Sequence, residues 1–282
     1  MSEFFGVGLL RGHRVGNSMF LKLLMDKLYK QHNASNKFTS LAVSSLGEIA
    51  VYEAAVSPRE FITSSEYLKM INDRFDATIN DNKAPYFGIA SAGINESHLV
   101  ATEDIVGTGS CFMEDYKAVD AAYGSLTDGD ERDISLLLNI IPHLRREATT
   151  FSMDSIGDLQ TTFANTTEFV TASFVLTGLP HQLYLFRGTR ELSLHMYPKQ
   201  GIFIFGNDSF ALAEASKTYL GPSEEFIVKQ YSGVCIDAYN NTITKFDLPN
   251  ENENWAKDKV DTTGSIYDLP DFLQQHVAGL EH

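Results

Sequence analysis

The sequence predicts an α+β fold, and three observations carry that prediction. Apolar runs at residues 174–176, 183–187, 192–195 and 202–205 are short and separated by the turn formers Gly178, Pro180 and Gly201, the pattern of β-strands. Residues 20–29 place apolar side chains at 20, 21, 24, 25 and 28, the spacing of a helix buried on one face. At 282 residues, with 43% hydrophobic and 11% aromatic residues, the chain can bury a core without disulfides or metals.

The remaining elements follow in chain order. Phe4-Phe5-Gly6-Val7-Gly8 reads as an opening strand. After the helix at 20–29, residues 39–43 and 49–52 form a hairpin across Leu46-Gly47. Helices are expected at 65–75, about 114–122 and about 131–144, with a strand at 86–90 between the first two. Beyond the strand at 202–205, Gly206-Asn207-Asp208-Ser209 leads into Phe210-Ala211-Leu212. Strands at 228–236 and 242–246 then meet around Asn240-Asn241. Residues 249–255 are polar and read as a linker, and 266–277 should hold a short helix starting near Pro270-Asp271. Leu280-Glu281-His282 resembles the stub of a purification tag.

The opening Phe4-Phe5-Gly6-Val7-Gly8 resembles the start of a class II glutamine amidotransferase domain, which reads Met-Cys-Gly-Ile-x-Gly. In that family the cysteine, freed at the N-terminus, is the nucleophile. Residues 183–187 resemble the family's "Leu-x-x-x-Arg" strand, and residues 205–212 stand where it has "Phe-x-x-Ala-Ser-Glu-x-x-Ala-Leu". Residues 86–90 resemble its "Gly-x-Ala-His-Thr-Arg-Trp-Ala-Thr" strand up to the alanine, and 130–134 its "Thr-Asp-Thr-Glu-x-Ile" helix start. The resemblance spans roughly residues 4–248 as order and spacing, with no invariant motif intact. It implies an αββα sandwich of two antiparallel sheets, the N-terminal-nucleophile hydrolase architecture. It also implies an amidotransferase-like domain over 1–248, a linker and short helix over 249–279, and the tag stub at 280–282.

The resemblance also locates a site, and there the chain departs from the family. Phe5 stands at the cysteine position with four residues before it, and a benzyl group cannot attack an amide. Ala90 is followed by Ser91, so the family's substrate-gripping arginine is missing. The Asn-Gly pair that donates to the oxyanion is matched by Glu103-Asp104 or by Thr108-Gly109, depending on the gap; a carboxylate there would repel an oxyanion. Asp130 is the one member of the glutamine-binding set with a plausible match, where the family's aspartate receives the substrate ammonium; acidic residues also suit a helix N-terminus. Gly206 opens the turn against which Phe5 should pack. The expected remnant pocket is therefore Phe5, Ser91, Thr108, Gly109, Asp130 and Gly206. Loss of Cys, Arg and Asn together implies a catalytically degenerate protein acting through protein binding or self-assembly. The alternative is an active amidohydrolase using Ser2 after removal of Met1, since an N-terminal nucleophile takes its own α-amino group as base. Ser2 lies three residues before the cysteine position, roughly 10 Å along an extended strand.

Composition narrows the partners. A formal net charge of -15 disfavours phosphate-tracking nucleic-acid binding and anionic membrane surfaces. No apolar run approaches the ~18 residues of a membrane span, and no signal peptide is visible, so a cytoplasmic protein is expected. Cys111 and Cys235 form no Cys-x-x-Cys motif, and the eight histidines make no zinc spacing, so no metal is expected. Gly6-x-Gly8-x-x-x-Gly12 is too long for the dinucleotide fingerprint and no phosphate loop is present, so no cofactor is expected. What remains is a protein partner or a homo-oligomer.

Overall fold

The computed structural model describes residues 3–10, 14–32, 35–45, 48–75, 85–96, 98–112, 116–127, 133–145, 171–247 and 266–268. In chain order these form β1 (Glu3–Leu9), α1 (Arg14–Gln31), β2 (Phe38–Ser45), β3 (Glu48–Ala54), α2 (Pro58–Phe61), α3 (Ser65–Phe75), β4 (Pro85–Gly93), β5 (Leu99–Ala101) and β6 (Ile105–Ser110). There follow α4 (Tyr116–Ala122), α5 (Asp133–Arg145), β7 (Thr171–Leu176), β8 (Gln182–Arg187), β9 (Ser193–Tyr197) and β10 (Ile202–Gly206). The last are α6 (Ser209–Ser216), β11 (Glu224–Phe226), β12 (Ser232–Asp237), β13 (Thr242–Asp247) and β14 (Ile266–Asp268). Two seven-stranded sheets result, in the orders β11-β9-β10-β1-β4-β2-β3 and β14-β13-β12-β8-β7-β6-β5. Every pairing is antiparallel.

Alternation along the strands sorts the side chains into three cores, and these define the layers. Phe4, Ile89, Phe203 and Phe205 of the first sheet pack with Val106, Val175, Leu185 and Val234 of the second, filling the space between sheets. Phe5, Val7, Leu9 and Ile204 point the other way and meet Leu21, Leu24, Leu28 and Tyr29 of α1, Tyr67 and Ile71 of α3, and Leu212 of α6. Phe174 and Phe186 face Leu137, Ile140 and Ile141 of α5. The molecule is thus the expected α+β sandwich, helix–sheet–sheet–helix. Gly6 and Gly8 are glycines because the rings of Phe205 and Phe203 lie where their Cβ atoms would be.

Several expectations are corrected by local chemistry. Residues 210–212, given no element from the sequence, lie in helix α6, because Asp208 caps it by accepting from Ala211 N–H at 2.9 Å, and the Ala-rich run behind favours helix. The strand expected over 228–236 begins at Ser232, after Tyr231 takes a positive φ of 52°. Helix α1 begins at Arg14, ahead of its apolar stripe. Short α2 has a capping box between Ser57 and Glu60, a signal present in the sequence. In the tail, 266–268 pair with β13 as a strand, so this stretch extends the second sheet; the helix expected near Pro270 lies outside the described residues.

Candidate functional site

The start of β1 sits in the middle of its sheet, between β10 and β4. Phe5 lies opposite Gly206 on one side and Ala90 on the other, and Phe4 lies opposite Ser91. Gly206 in turn faces Ser193 of β9. In the second sheet Arg187, Thr171 and Ser110 occupy one row. The registers therefore bring Phe5, Ser91 and Gly206 together, as the sequence reading anticipates. Thr108 and Gly109 belong to the facing sheet. Ser2 and Asp130 lie outside the described residues.

Both faces of the sheet are filled at this point. Phe4 is fully buried between the sheets, and Phe5, 1% exposed, is buried on the helix side. The Phe5 ring stacks on the His32 imidazole, centroids 4.2 Å apart and 13° from parallel, and meets Tyr29 edge-on at 4.9 Å. His32 follows the end of α1. Its Nδ1 lies 3.1 Å from Glu3 Oε2, which also accepts from Asn36 Nδ2 at 2.7 Å. Tyr29 donates to the Ser40 carbonyl at 2.7 Å, and burial, helped by Asp26, pushes its phenol well above the ordinary range. The tip of the strand is thus held by an aromatic stack on Tyr29 and His32 and by the strand's own Glu3 carboxylate, which His32 and Asn36 meet after helix α1.

Backbone bonds fasten the same tip to the loop after β10. Phe4 N–H donates to Asn207 Oδ1 at 2.9 Å, and Asn207 N–H donates to the Phe4 carbonyl at 3.2 Å. Asn207→Ala leaves the Phe4 N–H without its acceptor and should cost about 1–3 kcal/mol. Chemical denaturation checks this; an unchanged midpoint would mean water replaces the side chain.

The other expected site residues serve the sheet. Ser91 Oγ pairs with Ser40 Oγ at 2.7 Å, both fully buried. Thr108 and Ser173 lie opposite each other across β6 and β7, and their buried hydroxyls have no hydrogen-bond partner among the described residues. A bound water is the usual remedy for such a pair. Gly109 packs against the backbone of β7, where a Cβ would lie 2.7 Å from Ala172 Cα. Glu103 and Asp104, the other candidates for the oxyanion position, lie in the turn between β5 and β6, where their backbone carbonyls accept from Thr177.

Burial raises both thiols, Cys111 strongly and Cys235 to about 12, so neither is a thiolate near neutral pH. Among the described residues no group of three His, Cys, Asp or Glu is placed to hold a metal, and no helix is long and apolar enough to cross a membrane. Sequence reading missed Glu3, His32, Asn36, Ser40 and Asn207. Their hydrogen-bond partners at the strand tip and in the Ser40–Ser91 pair lie 29 residues or more away, so no local spacing marks them.

A scan against protein-family models finds no match, and neither does a search of curated proteins. Solved structures do match. Glutamine phosphoribosylpyrophosphate amidotransferase from B. subtilis, complexed with ADP and GMP, superposes with a TM-score of 0.56 at 9% identity over 87% of this chain. A structure described as the allosteric regulatory enzyme of purine biosynthesis gives 0.57 at 8% identity, again over 87% of this chain. The chain spans about half the length of these proteins, 49% and 48%. At such identity the likeness speaks of architecture alone. The chain has the N-terminal-nucleophile hydrolase-like fold of the class II glutamine amidotransferases.

Proposed function

We propose that this chain is a catalytically degenerate glutamine-amidotransferase-like protein that acts by binding a partner protein or a second copy of itself. The observation that carries the proposal is Phe5. It stands at the position matched to the nucleophile, buried and stacked on His32, and Phe4 fills the opposite face of the sheet. A binding role draws support from the sheet edges. Strand β3 ends its sheet, with Val51 43% exposed, and β11 ends the same sheet on the other side. Unpaired strand edges invite another chain. The formal net charge of -15 favours a partner with basic character.

The purified protein should release no ammonia from glutamine above the uncatalysed rate. Enzyme-like turnover that disappears in Ser2→Ala would replace this proposal with an active amidohydrolase. Light scattering of the full chain separates the two binding modes: a dimer or larger mass supports self-assembly, and a monomer assigns the role to a different protein.

A further inference from the structure

A second feature occupies the same end of the sandwich. The connection from β8 to β9 and the edge strand β11 enclose an open cleft of about 350 Å³, lined by Arg187, Glu191, Leu192, Glu225, Phe226 and Val228 among others. Arg187 is half-buried at the end of β8. Its Nε donates to the Arg190 carbonyl at 3.2 Å and its Nη1 to the Val228 carbonyl at 2.6 Å. A guanidinium carries five N–H groups, so three have no acceptor among the described residues. Among the described residues no carboxylate lies within ion-pair distance of it. Glu191 and Glu225 line the same cleft, and both are exposed. The cleft therefore offers a fixed cation, an apolar floor and two exposed carboxylates, of which Glu191 accepts from Ser193 Oγ at 3.5 Å.

Resting on the binding role above, we propose that this cleft takes the C-terminal end of a partner polypeptide. The terminal carboxylate sits on Arg187, and a Lys or Arg side chain near that end reaches Glu191 and Glu225. Guanidinium matches carboxylate in a planar two-point contact, and two backbone carbonyls already hold this one, so little ordering is lost on binding. The volume lies near the lower end of the ~300–1,000 Å³ range for ligand pockets, room for a chain end and not for a folded surface. Ile227, 69% exposed at the rim, marks the open side through which the rest of an extended chain leaves. The net charge of -15 steers a basic tail toward the protein.

The test uses fluorescein-labelled random hexapeptides with a free C-terminal carboxylate, the same peptides amidated, and free amino acids. Binding is read by anisotropy. Free-acid peptides with Lys or Arg in the last three positions should be selected, and amidation should weaken them by about tenfold or more. Affinity should fall as salt rises. Glu191→Gln and Glu225→Gln alter exposed carboxylates and should erase the preference for basic residues while leaving the preference for a free carboxylate. Arg187→Gln, checked for folding by circular dichroism, should erase the preference for the free carboxylate. Equal binding of free and amidated peptides, free amino acids binding as well as peptides, or no binding at millimolar concentration would overturn the proposal. Glutamine turnover with peptide binding intact would remove the non-catalytic reading and leave the cleft; the reverse result would remove the cleft alone.

Discussion

Phe5→Ala should destabilise the protein by about 3–5 kcal/mol, the usual range for truncating a buried phenylalanine. The side chain is 1% exposed, stacks on His32 and meets Tyr29 edge-on. Removing it opens a cavity at the tip of a central strand, bounded by α1, where neighbouring strands on both sides restrict collapse. In a chain of this size each kcal/mol moves the thermal midpoint by about 2–4 °C, so the loss is easy to see in a melting curve. Phe5→Leu keeps much of the buried area and should lose a smaller share. An unchanged midpoint for Phe5→Ala would mean that the ring is not part of the core and that the strand register used here is wrong. The same experiment bears on function, because a side chain that the core requires leaves no space for a substrate in its place.

Gly109→Ala should cost about 1–3 kcal/mol or more, although it adds a single methyl group. The added Cβ would meet the Thr171 carbonyl oxygen and lie 2.7 Å from Ala172 Cα. Both are backbone atoms of β7, so no rotamer change relieves the clash and the two strands must separate. A denaturant titration measures the loss, and hydrogen exchange should show it as weakened protection along β6 and β7. A neutral substitution would show that the two strands are further apart than described. The glycine that the sequence reading matched to an oxyanion donor is thus accounted for by close strand packing.

Much of the architecture was legible in the sequence because it rests on short-range periodicity. The helix at 65–75 and the strands around 86–90, 183–187 and 202–205 are fixed by alternation or by one apolar stripe, and the structure places elements there. Helix α6 was missed because residues 210–212 are too short a run to show a period; the Asp208 cap was the available signal. Strands β5 and β6 were missed because β5 is three residues long and Gly107 and Gly109 interrupt the apolar pattern of β6, which pairing with β7 makes a strand. Within the site, Phe5 and Gly206 could be named from the family pattern. Their direct opposition, and the holding of the strand tip by Glu3, His32, Asn36 and Asn207, depend on contacts between distant segments. Such contacts follow from register, which a single sequence does not print.

The most direct test of the central claim is a covalent one. Incubate the full chain with a diazoketone analogue of glutamine, which alkylates an activated N-terminal nucleophile, and record the intact mass. The mass should stay unmodified, because the position matched to the nucleophile is a buried benzyl group. A stoichiometric adduct that maps to Ser2 and is blocked by excess glutamine would contradict it.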